Sequence, residues 1–172
     1  MDAEHVTFKV GQKVVYPNHG VTVDEEIAPS RIDGTERTCY HLRLLSGNSK
    51  VMVPKDNLDL VGLRPLCEAK EIRTLFSILE NGSVEAQKDW KGRYKQNVEK
   101  MKTGRITEVA EVLKNLRFVS QRKSLSFREK KMYERAKSFI VSEVAHVKGL
   151  TERDAEQQVE RALTSSIERK KK

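Results

Sequence analysis

Residues 62–82, GLRPLCEAKEIRTLFSILENG, mark the point at which the hydrophobic pattern of the chain changes from strands to helices. After Pro65, apolar residues recur at the spacing of one helix face, and the pair Asn81-Gly82 then provides a typical helix end. The residues of this apolar face are Ile72, Leu75, Phe76 and Leu79. The sequence therefore predicts an α+β chain with two domains, residues 1–65 and residues 66–172, joined near residues 62–65.

Short strands separated by turn residues characterise the first domain. The predicted strands are residues 13–16, 21–23, 40–44 and 50–53, with turn signals at residues 17–20, 33–34 and 47–48. Strands and turns that alternate this regularly are typical of a small, strongly bent antiparallel barrel. Pro54 cannot donate a hydrogen bond to a neighbouring strand, so we expect it to end its strand or to lie at an edge.

The second domain is predicted to be compact and all-α, with about five helices, of which the one described above is the first. The second helix carries the apolar residues Trp90, Tyr94, Val98 and Met101 and ends near Thr103-Gly104. The third carries Ile106, Val109, Leu113 and Leu116. Ser126 followed by Glu129 is a capping-box signature that opens the fourth helix, and Thr151 followed by Asp154 opens the fifth.

The charge of the chain is concentrated in its second half. Residues 1–66 contain eight Lys and Arg against nine Asp and Glu, whereas the remainder contains 25 against 16. This asymmetry indicates that the two halves of the chain meet different partners, one of which is a polyanion. A solvated, lysine-rich surface without a partner is the alternative interpretation.

Residues that could carry catalysis or hold a metal are scattered. The four histidines, at positions 5, 19, 41 and 146, form no pair at a metal-ligand spacing, and Cys39 and Cys67 are too far apart for a CxxC site. No glycine-rich phosphate loop is present. No apolar run is long enough to span a membrane, and the acidic start of the chain is unlike a signal peptide. We therefore expect a monomeric, cytoplasmic protein that is not an enzyme and has no cofactor, no metal and no membrane partner.

Trp90, the only tryptophan, lies in the segment Lys88-Asp89-Trp90-Lys91-Gly92-Arg93-Tyr94-Lys95. An apolar ring among cations is typical of a wedge that enters a nucleic-acid groove. By periodicity alone, the stripe that it forms with Tyr94, Val98 and Met101 favours a core residue. Both interpretations stay open on the residues alone.

Several segments, in order and at similar spacing, resemble the CarD/CdnL family of bacterial transcription regulators. The likeness runs from about Phe8 to about Val147, and its first part also resembles the RNA-polymerase-interacting domain of transcription-repair coupling factors. The segments that carry it are Phe8–Val21, Val51–Pro54, Val61–Arg64, Trp90–Lys95, Ala110–Leu113 and Leu125–Met132.

The resemblance implies a Tudor-like barrel that binds the RNA polymerase β subunit and a helical domain that contacts promoter DNA. It implies that Trp90 enters the minor groove at the upstream edge of the transcription bubble and stabilises the open promoter complex. Cations at matching positions would contact phosphates, namely Lys91, Arg93, Lys95 and Lys130. A protein-binding adaptor of the polymerase, in which Trp90 is a core residue, is the alternative function.

The sequence departs from one branch of the family at three places. In the last strand before the conserved proline, this chain has Met52 where the branch has arginine. In the preceding loop it has Ser30, beside Arg31, where the branch again has arginine. Next to Trp90, Gly92 replaces a basic residue. The polymerase contact would then depend on apolar packing and strand pairing, or on Arg31 and its neighbours. The residues expected to form that contact are Arg31, Arg43, Met52, Val53 and Pro54.

Overall fold

The structure of the chain is a computed structural model, which describes residues 7–17, 19–45, 47–81 and 90–171. Side chains are described for all of these residues except Trp90 and residues 167–171. The chain folds into two compact units, residues 1–66 and 67–172, here called the sheet unit and the helical unit. Among the described residues, no helix is long and apolar enough to cross a membrane.

Five antiparallel strands form the described part of the sheet unit, in the spatial order β4-β3-β2-β1-β5. Their bounds are β1 Lys13–Tyr16, β2 Gly20–Ile32, β3 Thr35–Leu44, β4 Lys50–Pro54 and β5 Arg64–Pro65. The four predicted strands are confirmed, and β4 ends at Pro54 as expected. The sequence did not predict β5, the 3₁₀ turn Lys55–Asn57 or the short helix α1, Leu58–Val61.

The hairpin of β2 and β3 is much longer than the sequence predicted. Asp33 and Gly34 both have positive φ, 52° and 79°, and connect the paired residues Ile32 and Thr35. A two-residue turn with this backbone matches the right-handed twist of its strands. The pairing of β1 with β2 stops at Val23, so beyond that residue β2 has β3 as its only described neighbour strand.

One hydrophobic core cluster of the sheet unit brings the strands together with the segment that contains α1. Its buried residues are Phe8, Val14, Tyr40, Leu42, Val53, Leu58 and Leu63. The strands β4 and β5 are the two end strands of the sheet, and no β4–β5 pair closes it among the residues described. Strand content here and helix content in the rest of the chain confirm the predicted α+β class.

Five helices lie in the part of the helical unit that the structure describes, as predicted. Their bounds are α2 Ala69–Asn81, α3 Trp90–Thr103, α4 Ile106–Ser120, α5 Phe127–Lys148 and α6 Glu152–Lys171. Both predicted start signals are present. At Ser126 the complete capping box with Glu129 opens α5, and at the start of α6 the Thr151 hydroxyl accepts a hydrogen bond of 3.1 Å from the Asp154 backbone N–H.

Helix α4 is the centre of the helical unit and packs against α2, α3 and α5. The predicted apolar stripe of this helix is confirmed, because all four of its residues are buried. Ala110, Val112 and Val119 are also buried, which widens the stripe. The buried Lys114 is accommodated here as well, because its Nζ donates a hydrogen bond of 2.7 Å to the carbonyl of Ile78, near the C-terminal end of α2.

The buried face of α3 differs from the predicted one. Met101 is buried as expected, but Tyr94 and Val98 are only partly buried, and the other buried positions are the polar residues Arg93 and Asn97. The face is shifted by one residue because Arg93 has a buried ionic partner on another helix, which a pattern of apolar residues does not reveal.

Candidate nucleic-acid and protein-binding surfaces

Arg93 forms a buried ion pair with Glu129 at the start of α5. Its Nε and Nη2 atoms donate hydrogen bonds of 3.1 and 3.0 Å to the same carboxylate oxygen, Oε2. Both residues are only 3% exposed. The sequence-based prediction that Arg93 contacts a DNA phosphate therefore differs from the structure, because its guanidinium faces a carboxylate inside the unit rather than solvent.

The other oxygen of Glu129 belongs to the capping box of α5. Oε1 accepts the backbone N–H of Ser126 at 3.5 Å, and the Glu129 N–H donates to the Ser126 hydroxyl at 3.2 Å. One carboxylate thus connects α3 with the N-cap of α5. The first turn of α5 and the part of α3 around Arg93 are thereby joined through their side chains.

The three other predicted phosphate contacts, Lys91, Lys95 and Lys130, are exposed. Further exposed cations, which were not predicted from the sequence, lie between the end of α4 and the first turns of α5. These are Arg122, Lys123, Arg128 and Lys131. A run of five cations with one acid in residues 121–131 was the available signal, and that single acid is Glu129, which is buried. We call these seven exposed residues the cationic surface.

Phe127, the first residue of α5, is 71% exposed. The Nζ of Lys131 lies 4.6 Å from the centre of its ring, a cation–π arrangement. The sequence analysis did not single out this residue. The apolar face of α5 begins at Met132 and continues at Ala136, and Phe127 lies outside that face, which was the available signal of its exposure. The cationic surface therefore includes, beside Lys131, an aromatic ring that the protein itself leaves largely uncovered.

Trp90 is the first described residue of α3. The position of its side chain lies outside the described part of the structure, so the wedge and the core interpretations both remain predictions. Its backbone is less than one helical turn from Arg93, whose contact with Glu129 ties this end of α3 to α5.

The expected polymerase-binding residues of the sheet unit do not all face solvent. Met52, in the end strand β4, is 42% exposed, whereas Val53 is 2% exposed and belongs to the core. Neighbouring residues of a strand point to opposite faces, so β4 can present only one of the two. The prediction that Val53 contributes to a binding surface is therefore corrected, and Pro54 is partly buried at the end of the strand.

The two arginines of this set lie in different surroundings. Arg31 is exposed in β2 near the turn at Asp33, and its partner residue in β3 is Glu36. Arg43 donates from Nε to Glu25 and from Nη1 to the side-chain oxygen of Asn48 at 3.3 Å. A partner must displace these contacts to use Arg43, whereas the exposed face at Met52 needs no such rearrangement.

Asp24 is a fully buried carboxyl group beside the bulge that interrupts the β2–β3 register. Burial raises the pKa of this carboxyl above its ordinary value of 3.8, and the backbone at Glu26 and the charge of His41 oppose the shift only in part. Within the ranges that the structure describes, no group of three or more His, Cys, Asp or Glu could hold a metal ion, and Cys39 and Cys67 are buried free thiols.

Two family models match the two units. The model described as "CarD-like/TRCF RID domain" matches residues 8–67, and the one described as "CarD, C-terminal domain" matches residues 74–160. The chain is also 34% identical over 146 residues to the Bacillus subtilis (strain 168) protein named "Putative transcription factor YdeB", covering 85% of this chain and 95% of that protein.

The chain belongs to the CarD family. This is a family of transcription factors and interaction domains rather than of known enzymes. The match of the sheet unit to the RNA-polymerase-interacting domain gives the CarD-like chain a transcription-related role that involves RNA polymerase. The exposed face at Met52 and the cationic surface are two features of the described structure that such a role can use.

Proposed function

We propose that this protein binds the RNA polymerase β subunit through its sheet unit and promoter DNA through its helical unit, and that it thereby stabilises the open promoter complex. The observation that carries the proposal is the cationic surface, where the exposed Phe127 ring lies among cations at the start of α5. Phosphate contacts from such cations give affinity that is independent of base sequence.

Trp90 and Phe127 supply the DNA-binding features of the proposal. Each of the two aromatic residues is followed by a cation, and Phe127 lies at the N-terminal end of α5, where the helix carries partial positive charge. An aromatic ring that packs against an opened base step recovers part of the unstacking free energy only while the step is open. Binding energy of this kind favours the open complex over the closed duplex.

For the sheet unit we propose that the polymerase β subunit adds a strand to the edge of β4. Among the described strands β4 pairs with β3 alone, so part of its backbone hydrogen-bonding groups faces away from the sheet. Met52 would pack against the added strand, and Arg31 would contribute charge nearer the tip of the hairpin.

The deciding experiment measures open-complex lifetime on a natural promoter with no protein, with the wild type and with Trp90→Ala. We expect the wild type to lengthen the lifetime and the variant to lose most of that effect while still binding polymerase. Polymerase binding without any change of lifetime, and without DNA binding at low salt, would instead identify a protein-binding adaptor.

A melt of Trp90→Ala separates the two interpretations of this residue. Truncation of a core tryptophan costs about 3 to 5 kcal/mol of stability, whereas truncation of an exposed one changes it by less than about 0.5 kcal/mol. A variant that melts much earlier and binds polymerase poorly would show that Trp90 is a core residue.

A further inference from the structure

The ion pair between Arg93 and Glu129 connects two parts of the cationic surface that are far apart in sequence. Lys91 and Lys95 flank Arg93 in α3, and Arg128 and Lys130 flank Glu129 in α5. The paired side chains are themselves buried, and two hydrogen bonds of 3.0 and 3.1 Å to one oxygen fix the planar guanidinium against the carboxylate. The exposed cations on either side are consequently held at a defined separation.

We infer that Arg93 is a positioning residue for DNA binding, which touches no phosphate and holds the cations of α3 and α5 in register for a single DNA backbone. The inference rests on the proposed DNA-binding function of the helical unit. A rigid arrangement of cations loses less conformational entropy on binding than two helix ends that move independently. The capping box of Ser126 extends this order to the loop residues Arg122 and Lys123, because it fixes the end of their loop.

The sign of the effect of Glu129→Gln distinguishes positioning from simple electrostatics. This substitution removes a negative charge next to the cationic surface, so electrostatics alone predicts tighter DNA binding. Positioning predicts weaker binding to every duplex, on the order of tenfold. The neutral glutamine side chain loses the ionic attraction to Arg93 that holds the cations of α3 and α5 in place. Glu134→Gln is the matched control, since it removes an exposed acid from the same helix and should leave binding unchanged or slightly tighter.

A double substitution tests whether the charge of Arg93 itself meets DNA. Arg93→Met alone should weaken binding, whereas Arg93→Met combined with Glu129→Met should recover affinity to the level of Ser126→Ala, which loses the same capping box, because an apolar pair of similar volume can replace a buried ion pair. If Arg93 contacted a phosphate, the double variant would stay weak, and the slope of log affinity against log salt would fall by about one.

Arg93→Lys provides a second test if the methionine variants do not fold. It keeps the positive charge but loses the planar pair of donors, so positioning predicts weaker binding with an unchanged salt slope, and a phosphate contact predicts unchanged affinity. All titrations use the full chain, a fluorescent duplex and a temperature at which circular dichroism shows each variant to be folded.

The outcomes separate the inference from the proposed function. A wild type that does not bind duplex DNA at low salt overturns both of them. A wild type that binds, together with tighter binding by Glu129→Gln or unchanged binding by Arg93→Lys, overturns the positioning role alone. Weaker binding by the single variants with recovery in the double variant supports it.

Discussion

The Nζ atom of Lys131 lies 4.6 Å from the centre of the Phe127 ring, on the first turns of α5. The ring is nevertheless 71% exposed, so this cation covers only part of it. An aromatic side chain that a protein leaves open beside several cations has both the apolar surface and the electrostatic surroundings that a nucleic acid requires. Removal of the ring should therefore affect DNA more than it affects the fold.

We expect Phe127→Ala to shorten the open-complex lifetime and to weaken DNA binding while changing stability by less than about 0.5 kcal/mol, because most of the ring lies in solvent. The decay of open complexes after addition of a competitor gives the lifetime, and a thermal melt gives the stability. Leu60→Ala is the control, since Leu60 is 85% exposed in the sheet unit. An unchanged lifetime with Phe127→Ala would remove this residue from the DNA-binding surface.

The second prediction concerns the stability of the buried ion pair. Arg93→Met should lower the free energy of unfolding by about 3 to 5 kcal/mol, because it leaves the Glu129 carboxylate buried without its charged partner. Lys95→Met, on the exposed side of the same helix, should change it by less than about 0.5 kcal/mol. Urea denaturation followed by circular dichroism compares the two variants, and equal losses would contradict the assigned burial.

The third prediction separates two neighbouring residues of β4. Met52→Glu should weaken the pull-down of a polymerase β-subunit fragment without unfolding the chain, because a charge would lie on the exposed face of the strand. Val53→Ala should instead cost stability, on the order of 2 kcal/mol, since Val53 is a core residue. Val10→Glu, at a residue 60% exposed, serves as the charge control. A normal pull-down by folded Met52→Glu would move the contact to another edge.

The fourth prediction concerns the salt dependence of DNA binding. Lys130→Ala should weaken binding to all duplexes alike and reduce the slope of log affinity against log salt by about 0.9, the contribution of one phosphate contact. Fluorescence anisotropy on two unrelated duplexes at several salt concentrations measures both quantities. A change of preference between the two sequences would show that Lys130 reads bases.

The fifth prediction concerns pH. A carboxyl whose pKa is higher in the folded than in the unfolded chain binds its proton more tightly when folded, so Asp24 lowers stability as the pH rises above the ordinary value of 3.8. Asp24→Asn should therefore gain stability relative to the wild type at neutral pH, and the difference should shrink in acid. Hydrogen exchange of the β2 and β3 amides, compared between wild type and variant at each pH, measures this difference in stability. A difference that does not depend on pH would show that the pKa of Asp24 is the same in the folded and the unfolded chain.

Local signals in the sequence predicted most of the fold. The capping signatures at Ser126 and Thr151 depend on residues three positions apart, so both helix starts could be predicted directly from the sequence. The short elements β5 and α1 were missed because two and four residues carry no periodic pattern. The outer part of the β2–β3 hairpin was missed because its strands are largely exposed and do not alternate clearly.

The candidate sites were harder to predict, because they depend on contacts between distant residues. Arg93 and Glu129 are 36 positions apart, and cations near a tryptophan are as typical of a DNA contact as of an internal ion pair. One local hint existed, since Glu129 lies on the buried face of α5, three residues before Met132. In β4, the alternation of side chains along a strand was enough to predict from the sequence that Met52 and Val53 face opposite sides of the sheet.

The length of the β2–β3 hairpin has a consequence for self-association. Beyond Asp24, whose backbone still exchanges hydrogen bonds with Gly11 and Gln12, no described strand pairs with β2 on the side of β1, and a long open strand edge of this kind can pair with another copy of the same chain. Pro29 lies in this part of β2 and has no N–H to offer to such a copy. Pro29 therefore interrupts the strand edge along which copies of the chain would pair, and we expect the long hairpin to resist aggregation in a concentrated solution.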